Sequence, residues 1–243
     1  MHLTYDIRAT WEENCLRGPQ FADPCPEVPA TPEQSFLGMP VRSRIGIAAG
    51  LLPNSRWLLP YAARGFDLLT YKTVRSVARP CYPLPNWVFV KDLDPPDGPV
   101  LAMEQPSDDP TQVSSSVCFG MPSTDPNEWR ADIQRCRRGL LSEQLLIVSI
   151  VATPPENATL TDIANDFARC AAWAVESGAH VIEANLSCPN VCSAEGTLYQ
   201  DVDATRVVGQ AIRAAIEEIP LLLKIGTFHL PAQQRRFLQV AAD

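Results

Sequence analysis

Several absences set the first limits on this sequence. No part of its 243 residues is apolar for long: the longest apolar run, about Leu145–Ala152, falls far short of the ~20 residues a membrane-spanning helix needs. Histidine is scarce, with three in the chain and none at metal-ligand spacing with a cysteine, so no metal site is expected. Lys and Arg never run together long enough to track a phosphate backbone, and the formal net charge is -8. Nucleic acid is therefore not an expected partner, and the acidity is read as solubility. The opening MHLTYDIRATWEEN lacks the cationic and apolar regions of a secretory signal, so a cytoplasmic, non-membrane protein is expected. Eight cysteines are present, but no CxxC pair and no compact framework, and in such a chain they are expected as reduced thiols. Finally, no GxGxxG follows the first apolar run, which counts against a dinucleotide-binding sheet.

What is present has a rhythm. Residues 1–40 are proline-rich, with PCPEVPATP at 24–32, and are read as an extended arm. From 41 to 243 short apolar runs alternate with amphipathic stretches. The runs are Ile45–Ala49, Leu68–Thr73, Val113–Phe119, Leu145–Ala152, Val181–Leu186 and Leu221–Ile225. All are of strand length and read as buried on both faces, as parallel strands are. Between them, Asp125-Pro126 opens a helix with Trp129, Ile133 and Leu140 inward. Thr159 with Asp162 opens a second, closed by Gly178. Asp203 opens a third, with Val207, Val208, Ala211, Ile212, Ala215 and Ile216 facing the core. A weaker helix spans about Asn54–Arg64, interrupted by Pro60.

Repeated βα units predict a parallel sheet, and the fold class expected is α/β, a (β/α)8 TIM barrel with about six of its eight units present. The chain stops just after opening a helix at Pro231, which reads as truncation. Two more units would extend it beyond about 300 residues. The region between Lys72 and Val113 is proline-rich and unpatterned, as loops over a barrel mouth often are.

The most informative string is Glu183-Ala-Asn-Leu-Ser-Cys-Pro-Asn190, at the end of an expected strand, where a barrel carries its active site. Asn185 and Ser187 share one side of that strand. Cys188 falls where strand becomes loop, and a thiolate there can act as base or nucleophile. Asn185 and Asn190 offer amides suited to a planar heterocycle. Taken alone, by composition, the string reads first as a turn that holds a buried cysteine. Lys72 and Lys224, each inside an apolar strand, must find a partner or ligand, unless they simply reach the barrel rim and meet solvent.

This string resembles the signature of the dihydroorotate dehydrogenases, FMN-dependent flavoproteins of pyrimidine synthesis, departing from it at Ala184. The resemblance implies that Cys188 is the base that takes a proton from the dihydropyrimidine ring while hydride passes to flavin N5. Asn185 and Asn190 then hold the substrate. Three further segments match in order. Gly46–Gly50 resembles the first strand, whose closing backbone, Ala49 and Gly50, contacts the flavin. Thr70-Tyr-Lys-Thr73 resembles the second, which places Lys72 beside flavin and substrate and Thr73 at the flavin. Leu221–Ile225 resembles a later strand and brings Lys224 to flavin N1 and O2, and Asn185 of the signature string is expected at the flavin as well. Phe119–Ser123 resembles the loop after the third strand, with Gly120 and Met121 at the substrate. Here Val117 and Cys118 stand where the family has asparagine and serine. A cysteine at 188 resembles the soluble members, which tend to be dimeric, so a homodimer is the expected assembly. The electron acceptor stays open among fumarate, NAD through a partner, and quinone. No cluster-binding cysteines are visible. The alternatives are a non-catalytic remnant barrel serving as a binding module and a flavin barrel that reduces uridine in transfer RNA.

Overall fold

The structure, a computed structural model, describes residues 4–91, 101–103, 105–187 and 194–242. The chain begins with α1 (Trp11–Arg17), then a hairpin of β1 (Gln34–Phe36) and β2 (Met39–Val41). It continues through β3 (Gly46–Ile47), α2 (Ser55–Ala62) and β4 (Leu68–Val74). Next come β5 (Trp87–Lys91), β6 (Leu101–Met103) and β7 (Ser114–Val117). The final run is α3 (Pro126–Gly139), β8 (Leu145–Ile150), α4 (Leu160–Glu176), β9 (Val181–Asn185), α5 (Val202–Ile216), β10 (Leu221–Lys224) and α6 (Pro231–Ala242).

Strands β10-β9-β8-β4-β3 form one sheet in that order, each neighbour parallel. Helices follow the strands as crossovers, as a run of βα units requires. Their starts are written locally. Asp125 caps α3 through the Asn127 amide, with Pro126 at the first helical position. Thr159 and Asp162 close a reciprocal capping box on α4. Asp201, not Asp203, caps α5, accepting from the Asp203 and Ala204 amides. Alternation along the strands then sorts the core. Leu69, Tyr71, Leu146, Val148 and Ile182 pack under Ile133, Phe167, Cys170, Val208 and Ile212 of the helices. On the opposite face, the barrel interior, Leu68, Leu145, Ile147 and Val181 meet Val41, with Phe36 and Met39 of the hairpin against them. The β1–β2 hairpin thus plugs the lower end. Gly46 is required by closeness: a Cβ there would lie 2.3 Å from the Leu68 carbonyl oxygen.

Several expectations change. Among the described residues, five of the six apolar runs join the parallel sheet. The sixth, Val113–Phe119, gives β7, which instead pairs antiparallel with β5. Its centre is Ser114-Ser-Ser116, half-buried to exposed, and three serines cannot fill a strand covered on both faces. The region read as unpatterned holds β5 and β6, and with β7 it forms a three-stranded antiparallel sheet. The arm is not wholly extended. Thr10 and Glu13 close a capping box on α1, the Trp57 indole N–H donates to the Asn14 carbonyl at 2.8 Å, and Tyr5 stacks near Trp57, Trp87 and Phe119. On α5, Val207 and Ala215 are exposed rather than inward.

Candidate active site

The upper interior of the sheet is polar, and the sequence puts it there by alternation. Leu68 and Thr70 precede Lys72 on the same face of β4, Ile147 precedes Ser149 on β8, Val181 precedes Glu183 and Asn185 on β9, and Leu222 precedes Lys224 on β10. Register aligns them: Ser149 lies beside Glu183, and Asn185 beside Lys224. Apolar layers below and polar ones above make a floor and a mouth.

Each expected site residue can now be placed. Lys72 and Thr73 are buried near the end of β4. A register shift between Tyr71 and Val74 brings Thr73 inward too, with its hydroxyl 2.9 Å from that of Ser149. The Lys72 amide donates to the Leu52 carbonyl at 2.9 Å, which ties the Ala49–Gly50 turn to β4. Gly50 has φ +134, and a Cβ there would meet nothing within 4 Å, so the turn faces open space. Asn185, last in β9, is buried. Its amide Nδ2 donates to the Met121 sulfur at 3.4 Å, and its Oδ1 accepts from the Ser187 amide at 3.3 Å. Gly120 and Met121 both have positive φ, 75 and 51. The Tyr82 ring covers Gly120 so closely that a Cβ would come within 2.7 Å of it. Val117 is exposed and pairs with Trp87 at the end of β7. Cys188 and Asn190 lie outside the described residues.

Two interior groups escaped the sequence reading. Glu183 forms an ion pair with Lys224, Oε1 to Nζ at 3.0 Å, with side chains 13% and 32% exposed. The signal was available: an acid inside an apolar strand is the same anomaly as the two lysines. Ser149, fully buried in Leu-Leu-Ile-Val-Ser-Ile, is the second. Four of the described thiols outside the string are not poised for chemistry. Burial pushes Cys81 up to about 11 and Cys170 up to about 12, and it raises Cys15 and Cys136 well above the usual range. All four stay protonated at neutral pH.

No family model matches the sequence. A dihydroorotate dehydrogenase of Dictyostelium discoideum is 33% identical over 256 residues, covering 98% of this chain and 67% of that protein. The chain belongs to the dihydroorotate dehydrogenase family. A tRNA-dihydrouridine synthase B of Shewanella oneidensis is 32% identical over 126 residues, half of this chain and 36% of that protein. Two structures of the dihydroorotate dehydrogenase (DHODH) of Eimeria tenella, one in complex with ferulenol and one ligand-free, superpose with TM-scores of 0.67 and 0.68 at 15% and 16% identity. They cover 88% and 89% of this chain, which spans 58% and 60% of theirs. The fold is accordingly that of the family's TIM barrel, with five parallel strands among the described residues.

Proposed function

We propose that this chain carries the flavin- and substrate-facing part of an FMN-dependent oxidoreductase that oxidises dihydroorotate, or a related dihydropyrimidine, to its unsaturated ring. The observation that carries the proposal is the polar mouth itself. Lys72 and Thr73 of β4, Asn185 of β9 and Lys224 of β10, with β8 between β4 and β9, share one interior rim above an apolar floor. The rim suits FMN in its donor set: a lysine ammonium for the pyrimidine edge of the ring, hydroxyl and amide donors beside it, and open space over Gly50 for a flat face. FMN, when bound, supplies the two-electron acceptor.

The chain's own residues do the rest. Asn185 and Asn190 hold the dihydropyrimidine by its amide edges. Cys188, as thiolate, takes the proton from the ring carbon next to the carbonyl as the other carbon gives up its hydrogen with two electrons. Lys72 stands beside both rings, and Lys224 offsets the negative charge that develops at the pyrimidine edge of the flavin. Gly120 and Met121 close over the substrate. Residues 1–40 serve as an arm on a barrel of residues 41–243, and the protein works in the cytoplasm as a homodimer.

The test is the visible spectrum of the longest native form, before and after anaerobic dihydroorotate. Flavin bands that bleach support the proposal, and a protein without flavin overturns it. In Cys188→Ala, flavin should stay bound while its reduction slows by about 100-fold or more, and an unchanged rate would remove Cys188 from its role. The synthase similarity favours a second reading, a flavin barrel acting on uridine in RNA. The net charge of -8 weighs against it, and salt-sensitive binding of transfer RNA would revive it.

A further inference from the structure

We infer that Arg75 is a positioning residue for the substrate side of the mouth, acting through Met121 on Asn185. Arg75 follows β4 directly and is fully buried. Its guanidinium reaches two other loops: Nε donates to the Met121 carbonyl at 3.1 Å, and one terminal nitrogen donates to the Ala152 carbonyl at 3.0 Å and the Thr153 hydroxyl at 2.9 Å. Its backbone is engaged as well. The amide donates to the Ser123 hydroxyl at 3.2 Å, and the carbonyl accepts from the Trp129 indole at 3.0 Å. Three loops at the strand ends, after β4, after β7 and after β8, therefore converge on one side chain.

The convergence matters because of what Met121 does. Its φ of +51 is unusual for a residue with a side chain, so the turn needs outside support to hold this shape. The Arg75 bond to the Met121 carbonyl supplies it, and the Met121 sulfur accepts from the Asn185 amide at 3.4 Å. The chain of contact runs from guanidinium to carbonyl, through Met121, to the amide proposed to bind the substrate. A planar fork with several fixed donors can span these acceptors, and a lysine, with one point of attachment, cannot. Below the clamp, Asp166 of α4 fixes two of the same loops, accepting from the Ser76 hydroxyl at 2.9 Å and the Thr153 amide at 2.7 Å.

The substrate half of this inference rests on the oxidoreductase reading above, so the test has two arms, both on the longest native form. In the first, hydrogen exchange is compared between the native protein and Arg75→Lys. Exchange should quicken by about tenfold or more in segments 119–124 and 151–153 together, while β4 and β8 keep their protection. Unchanged exchange in those segments overturns the clamp. In the second arm, steady-state kinetics with dihydroorotate should give a KM raised by about tenfold with kcat within about threefold, and FMN content unchanged. Loosened loops with an unchanged KM overturn the positioning role and leave Arg75 a staple. Arg75→Met, tested where Arg75→Lys folds poorly, should change exchange and KM in the same directions. If the native protein holds no flavin, the oxidoreductase reading fails by itself, and the exchange arm still decides the clamp.

Discussion

At the scale of single residues, the interior ion pair between Glu183 and Lys224 is the clearest case of chemistry buried in an apolar strand. Burying either charge alone is costly, and pairing at 3.0 Å offsets much of that cost. In Glu183→Gln the shape is kept but the lysine loses its counter-charge. Stability should fall by about 1–3 kcal/mol, read as a lower urea midpoint with an unchanged slope. A midpoint equal to the native one would mean that solvent, not Glu183, balances the Lys224 charge. Thr73 and Ser149 are the uncharged counterpart. Each hydroxyl is buried, and each satisfies the other across two strands.

At the scale of elements, the βα units are held in register by small polar devices at their joints. His180, in the turn between α4 and β9, accepts the Leu146 amide on Nδ1 at 2.9 Å, so it joins the starts of β8 and β9 only while neutral. Burial first, and the Arg137 charge second, lower its pKa below the ordinary 6.5. The sign follows from proton counting. As pH drops past about 6.5 the unfolded chain takes up a proton that the folded chain still refuses, so stability falls until the lower folded pKa is reached and then levels off. Urea unfolding at pH 7.5, 6.5 and 5.5 should show that loss. His180→Gln, whose side-chain oxygen can still accept from Leu146 but does not titrate, should flatten it. Equal pH slopes in the two proteins would show that other groups carry the dependence. The helix caps at Thr159 and Asp201 belong to the same class of device.

At the scale of the whole molecule, the parallel sheet has two edges among the described residues, β3 at one end and β10 at the other. A closed barrel would bury both. Beside β10 lies a groove of about 490 Å³ lined by Arg206, Gln210, Leu221, Leu223 and Val240. Val207 on α5, Leu230 just before α6 and Leu238 on α6 are exposed, as are Ile45 and Leu51 on either side of β3. Unpaired strand edges flanked by apolar side chains favour association. The 243-residue chain on its own should therefore self-associate, with a light-scattering mass that climbs with concentration. A constant monomer mass up to the solubility limit would show that the edges are already protected.

The sequence by itself determined the units. The strand runs of β4, β8 and β9, buried on both faces, the helix starts at Asp125 and Thr159, and the two lysines set into apolar strands are all local patterns, and local chemistry is enough to produce them. The runs at β3 and β10, expected buried as well, are partly exposed or half-buried. Lys72 and Lys224 stood out as charges in apolar strands and through the family resemblance, and alternation set the side taken by Asn185; that the three share one rim follows from the register of the sheet. The α1 capping box at Thr10–Glu13 and the apolar run of β5 were equally present in the sequence, but prolines nearby obscured them. Other features required the tertiary structure. Only long-range pairing decided that Val113–Phe119 leaves the barrel for an antiparallel sheet, because a lone run of that length carries no information about its partner. The ion pair of Glu183 with Lys224 and the grip of Arg75 on two other loops join residues 41 to 78 positions apart in the chain. Such contacts come from the stagger of neighbouring strands and the crossing of loops, which no local pattern encodes.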